Sequence, residues 1–401
     1  MTSTLTTVTR LARTLSLSLV MAAASLGAPA IAGTECGDWA ADFGQPGVNN
    51  TVNVSIEYMG HLYIAGNFSV AGGANVSRIA KWENGTWLPV GTGVNGTVEA
   101  MYVFNGELIV AGSFTQAGGI AANRIAKWNG ATWSPMGAGF DSTVNYLTQL
   151  DGTLVAGGNF QNSGTTQALR VAQWNGGGWE PIGAGFNASV KVVAVYNDEL
   201  YAAGTFASSG DLLRKGIARW DGTAWQSVGA GIAGTPETAE IFDGKLVIGG
   251  SINNAGGASV LNIAAWDGQN WSAVGEGLSG SVLDLIVTDE AGQDVLIAGG
   301  GFTADGIAPS LLMNRVARFD GVAWQPMGGA AMGDTVQTLT VHNGALIAAG
   351  AFTTTGVEFT NRIANFIPCS TAPACTADLD RDGQVSAADL ATLLGSWGIC
   401  D

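Results

Sequence analysis

The alternation of apolar and polar positions recurs along the chain as one block. Its clearest copy begins Thr97-Val98-Glu99-Ala100-Met101-Tyr102-Val103-Phe104, turns at Asn105-Gly106, and continues Glu107-Leu108-Ile109-Val110-Ala111-Gly112-Ser113-Phe114. A glycine-rich loop through Gly118-Gly119 follows. Next come Arg124-Ile125-Ala126-Lys127-Trp128, a second turn at Asn129-Gly130, and Thr132-Trp133-Ser134-Pro135-Met136-Gly137. Each run has the length and composition of a β-strand, and Asn-Gly steps supply the positive φ angles of tight hairpins. The block therefore predicts four antiparallel strands in a repeat of about 46 residues.

Landmarks count the copies. The Gly-x-Phe ending of the second strand falls at Phe68, Phe114, Phe160, Phe206, Ile252, Phe302 and Phe352, with isoleucine once in place of phenylalanine. The third strand ends in an aromatic at Trp82, Trp128, Trp174, Trp220, Trp266, Phe319 and Phe366. A second tryptophan follows at Trp87, Trp133, Trp179, Trp225, Trp271 and Trp324, but none follows Phe366. Cys36-Gly37-Asp38-Trp39 supplies a tryptophan with no strands before it. The expectation is an all-β fold, a seven-bladed β-propeller whose N-terminal strand completes the last blade. Such closure removes the exposed sheet edges of an open array.

The apolar strand ending in small residues, the Gly-Gly loop and the two spaced tryptophans resemble the kelch-like superfamily. The strings Ala111-Gly112-Ser113-Phe114-Thr115 and Asn123-Arg124-Ile125-Ala126 are closer still to the delta-sixty type of bacterial propeller repeat. The resemblance covers about residues 47–367, and it implies the fold without implying a function. WD-repeat proteins match less well, because their paired Gly-His and Trp-Asp marks are missing.

The C-terminus changes character. Asp378, Asp380 and Asp382 occupy positions 1, 3 and 5 of a calcium loop, and Gly383 permits its sharp turn. Gln384 offers a backbone carbonyl, Ser386 a water-mediated contact, and Asp389 closes the site around Ca2+. Leu390, Leu393 and Leu394 follow at helical spacing. This stretch resembles one type I dockerin repeat, in the short cysteine-flanked form found at the end of secreted bacterial proteins. Type I dockerins pair two such units and bind cohesins, whereas one unit is present here. The resemblance implies calcium binding and a cohesin-like or cell-surface protein partner.

Four cysteines allow three pairings. Cys36 and Cys369 flank the predicted ring closure, and Cys375 and Cys400 bracket a module too small to fold on its own core. The pairs Cys36–Cys369 and Cys375–Cys400 are therefore expected.

At the other end, Arg10 and Arg13, the apolar run Leu15 to Leu26 and Ala30-Ile31-Ala32 read as a signal peptide over residues 1–32. The propeller then occupies 33–369 and the dockerin-like module 370–401. The formal net charge is −16, and the leader holds two arginines and no acid. An acidic chain argues against nucleic acid as a partner. No later segment is apolar for long enough to span a bilayer, so a secreted or cell-surface protein is expected.

Candidate chemistry is sparse. The two histidines, His61 and His342, fall beside hairpin turns and read as exposed turn residues. No serine-hydrolase motif accompanies them. The third position of each innermost strand holds Asn53, Glu99, Asn145, Lys191, Glu237, Leu283 and Gln337. These equivalent positions should ring one level of the central channel. They vary between blades, which fits either polar side chains solvating the channel mouth or a binding ring with Glu99, Lys191 and Glu237 as selecting residues. Arg78, Arg124, Arg170, Arg315 and Arg362 recur before the third strand and should bond neighbouring carbonyls. The paired tryptophans should pack blade on blade. Two functions follow as expectations. One is a non-enzymatic binding protein taking a glycan or protein ligand, with a calcium-binding tail for extracellular attachment. The alternative is a carbohydrate-active enzyme carried by that tail, since glycoside hydrolysis needs only two placed carboxylates.

Overall fold

The computed structural model describes residues 37–368, apart from 45, 291, 307–310, 330 and 357. The leader, all four cysteines and the calcium loop lie outside these residues. The second blade shows the repeat plainly. Its strands are Val98–Phe104, Glu107–Gly112, Ile125–Trp128 and Trp133–Pro135, each antiparallel to the next. Seven such sheets are present, all four-stranded except the fifth, which gains a short extra strand at Ala258–Ser259.

The last blade is built from both ends of the propeller. Val336–His342, Ala345–Gly350 and Ile363–Ile367 are joined by Asp38–Ala40, which sets Trp39 opposite Phe366. Trp39 thereby stands where every other blade has its second tryptophan. Its indole N–H donates to Met327 O of the preceding blade at 3.1 Å. The six other indoles make the same bond, from Trp87 to Phe43 O through Trp324 to Val274 O, over 2.9–3.2 Å. Seven aromatic pairs sit with centroids 5.0–5.4 Å apart, the seventh being Trp39–Phe366. Trp39 and the second tryptophans are thus blade-to-blade fasteners, each an apolar body with one satisfied polar handle, whereas the indole N–H groups of Trp128 and Trp266 are buried with no hydrogen-bond partner among the described residues.

Other repeat landmarks also have physical causes. Phe114 lies beyond the second strand rather than in it and is buried, as are its six counterparts. Gly112 precedes it because Ser113 N donates to Thr97 O at 2.9 Å, and a Cβ on Gly112 would strike that carbonyl. The Gly118-Gly119 segment is a two-residue turn of a small hairpin, Gln116–Ala117 with Ile120–Ala121, rather than a plain loop. Asn105 and Gly106 both have positive φ, 50° and 78°. At Asn129-Gly130 only the glycine does, and Asn129 acts through its side chain, accepting from Ala131 N and Thr132 N.

The recurring arginines have positive φ of 66–78° and donate to carbonyls. Arg170 reaches Phe186 O at 2.8 Å and Arg362 reaches Val48 O at 2.7 Å, both in the next blade. Where the arginine is absent, Asn262 takes the same left-handed backbone and donates to Leu278 O.

Candidate binding site in the central channel

Six of the innermost strands start one residue later than expected and the fifth blade's starts earlier, at Ile232, and the residues predicted to ring the channel are the bulged positions. The ladder slips between Val52 and Val54, Val98 and Ala100, Val144 and Tyr146, and Val190 and Val192. It slips again between Pro236 and Thr238, Val282 and Asp284, and Val336 and Thr338. The residue left over in each case is Asn53, Glu99, Asn145, Lys191, Glu237, Leu283 or Gln337. A bulge inserts one unpaired residue and re-aims its side chain. Seven bulges at one level thus expose a variable set on an invariant backbone. All seven side chains are half-buried.

Two roles share the ring. Asn53 Nδ2 donates to Val98 O at 3.1 Å and Asn145 Nδ2 to Val190 O at 2.8 Å, so these asparagines tie inner strands together. The charged members form a connected group. Asn53 Nδ2 also donates to Glu99 Oε2 at 2.9 Å, and Lys191 Nζ lies 3.7 Å from Glu237 Oε2. Burial pushes the Glu99 carboxyl above its ordinary range, with Glu237 adding to the rise while Asn53 and Lys191 oppose it. Burial likewise raises Glu237, against the pull of Lys191. The structure thus places Glu99, Lys191 and Glu237 within electrostatic reach of one another.

The next row of the same strands holds a cluster that the repeat alone did not single out. Asp284 accepts from Leu285 N at 3.0 Å and from Leu339 N of the following blade at 2.7 Å. Its carboxyl is only half-buried by water contact, yet protein surrounds it within the channel. That burial pushes its pKa up to about 7, with Glu240 adding and the backbone donors opposing. The Tyr146 phenol is held protonated well above its usual range by burial and by Asp284 and Glu240. Ser55 N donates to Thr338 Oγ1 at 3.1 Å, bridging the first and last blades at the same level. A signal existed for Asp284. It is the one charged residue in a row that otherwise reads Val54, Ala100, Tyr146, Val192, Thr238 and Thr338, and its blade alone has leucine at the ring position.

The histidines depart from expectation. His342 is 8 % exposed rather than an exposed turn residue. It ends an inner strand at the place where Tyr58, Phe104 and Tyr196 turn into the next blade, so the fold buries it. Its Nδ1 lies 2.9 Å from Glu57 Oε2. His61 is half-buried, with Nε2 3.2 Å from Glu83 Oε1.

Among the described residues no group of three or more His, Cys, Asp and Glu is placed to hold a metal ion. No described helix is long and apolar enough to cross a membrane. Closure by the N-terminal strand, the fastening tryptophans and the bulged channel ring together define a seven-bladed β-propeller. The sequence profile of the Rax2 C-terminal beta propeller domain matches residues 180–345. That of a beta-propeller domain of unknown function, DUF5122, matches residues 105–129. Among solved structures, the computationally designed Ika8 protein is similar at 12 % identity and a TM-score of 0.48, covering 80 % of this chain and 98 % of its own. The WD40 beta propeller domain of Doa1 is similar at 13 % identity and a TM-score of 0.49, covering 80 % and 93 %. No curated protein matches the chain.

Proposed function

We propose that the chain is a secreted, non-enzymatic propeller that binds an extracellular protein segment at the channel ring. The supporting observation is the set of seven aligned bulges, which hold Glu99, Lys191 and Glu237 on a backbone fixed elsewhere by invariant packing. Two half-buried carboxylates about one lysine suit a ligand offering amide donors and a basic side chain. The C-terminal module would hold the propeller at the cell exterior. Its likeness to a type I dockerin repeat supports Ca2+ bound by Asp378, Asp380, Asp382, Gln384, Ser386 and Asp389, with a cohesin-like or cell-surface protein as partner. The kelch-like and delta-sixty resemblance is compatible with this role.

The test is a binding screen of extracellular proteins against the full secreted chain, with a Glu99→Gln/Glu237→Gln variant alongside. Binding that falls at least about tenfold, with an unchanged melting temperature, supports the ring. Unchanged binding by the variant overturns it. For the tail, calorimetric titration should show Ca2+ binding that Asp378→Ala and Asp382→Ala abolish. Equal heats from the variants would remove the loop assignment.

A second reading draws on the raised carboxyls of Glu99, Glu237 and Asp284, since a general acid must stay protonated near neutrality. It predicts release of reducing ends from a polysaccharide panel, lost in the same glutamine variant.

A further inference from the structure

The junction between the last and first blades differs from those that follow the second and fourth blades at three repeat-equivalent positions. In the fourth blade, the face toward the fifth carries Tyr196, whose hydroxyl donates to Gly244 O at 2.9 Å. Beside it, Arg219 pairs with Glu199 at 2.6 Å. The second blade presents Phe104 and a Lys127–Glu107 pair at 2.8 Å in the same places. The last blade has His342, Asn365 and Ala345 instead. The bulky ring is replaced by a smaller one, and the ion pair by an amide and a methyl group.

The outcome is a cleft of about 450 Å³ whose lining includes His342, Asn343, Ala345 and Asn365 from the last blade. From the first blade come His61, Trp82, Glu83 and Asn84, and Asp42 and Phe43 of the closing segment complete it. The volume falls in the range of small-molecule sites, about 300–1,000 Å³.

Its chemistry narrows the ligand. Acidic groups outnumber the cations, since Asp42 and Glu83 line the cleft and Lys81 beside Glu83 offsets one of them. Glu83 lies 2.9 Å from Lys81 and 3.2 Å from His61, and Glu57 braces His342 from behind. An anionic ligand would therefore be repelled. What remains for recognition is a set of planar hydrogen-bonding groups, the imidazole of His61 and the amides of Asn84, Asn343 and Asn365. The Asn365 Oδ1 is buried with no hydrogen-bond partner, an acceptor that a ligand hydroxyl would satisfy. Trp82 adds an apolar ring, and Phe43 braces it edge-on at 5.3 Å. An aromatic face beside amides and imidazoles matches a molecule with an apolar C–H face and a rim of hydroxyls.

We infer that this cleft binds a neutral sugar ring, the terminal or penultimate unit of an extracellular glycan. This site is separate from the channel ring and does not depend on it.

The test uses the full secreted chain with methyl glycosides of neutral hexoses and pentoses and their 1,4-linked disaccharides. Saturation-transfer NMR and calorimetric titration supply the readouts. At least one probe should bind saturably. The variant Ala345→Glu/Asn365→Arg rebuilds the Glu199–Arg219 pair and should plug the cleft. It should weaken that binding at least tenfold, with the melting temperature kept. If the plugged variant folds poorly, Asn84→Ala at the exposed rim should still weaken binding severalfold. Failure of every probe to bind, unchanged affinity in the plugged or rim variant, or tighter binding of a methyl glucuronide than of the neutral glycoside would each overturn the inference. Because Glu99 and Glu237 are untouched, these outcomes are independent of the channel reading.

Discussion

The junction between the fourth and fifth blades and the junction that closes the ring use the same outer fastening and different filling. On the outside, Trp271 donates to Val228 O and Trp87 to Phe43 O, at 3.2 and 3.1 Å. One accepting carbonyl is in mid-chain and the other belongs to the closing segment that follows the N-terminal strand Asp38–Ala40. Midway in, the fourth blade is plugged by Tyr196 and the Arg219–Glu199 pair, whereas the last blade leaves a cleft beside His342. The difference teaches that closure needs the fastening at every junction, while the filling is free to vary where a ligand can take its place.

The largest expected effect probes the shared fastening. Trp87→Ala should cost about 3–5 kcal/mol in chemical denaturation, comparable to Trp271→Ala, because both remove a packed indole and its hydrogen bond. A loss at Trp87 below about 1 kcal/mol would break the equivalence of the two junctions.

Next in size is the inner layer, where Asp284 joins the sixth blade to the seventh through Leu339 N. Its pKa is raised to about 7 from 3.8, so its folded-state contribution is full below pH 3.8 and is lost as pH rises through 7. Asp284→Asn should remove that loss. It should stabilise the protein by about 1–2 kcal/mol at neutral pH, less than the full shift because one backbone donor loses its acceptor. The wild-type and variant stability curves should converge toward pH 4. Parallel curves across that window would show that the carboxylate is not strained.

The smallest effect converts one junction into the other. Glu199→Ala/Arg219→Asn copies the last blade's face into the fourth and removes a partly exposed ion pair. A change of about 0.5–1 kcal/mol is expected. A loss of several kcal/mol would mean that the filling, not only the tryptophan, holds a junction.

Much of this was legible from one chain because the repeat writes each rule seven times. The phase of Glu99, Lys191 and Glu237 could be read because all three follow the same valine- or proline-led position. The absence of a tryptophan after Phe366, with Trp39 waiting at the other end, pointed to closure. The bulges were not legible, since an extra residue in a strand alters pairing without altering composition. His342 was misjudged for a related reason. Its neighbours in the chain are turn residues, while its decisive neighbour, Glu57, is 285 positions away.

By itself, then, the sequence determined the blade, the number of blades and the strand that closes them, because these rest on local periodicity and landmark spacing. Only the tertiary structure decided which side chains face water, a channel or another blade. Burial at a blade junction depends on residues one repeat away or at the opposite end of the chain. Three shortened side chains, each unremarked in its own repeat, become a cleft only when the ring brings them together.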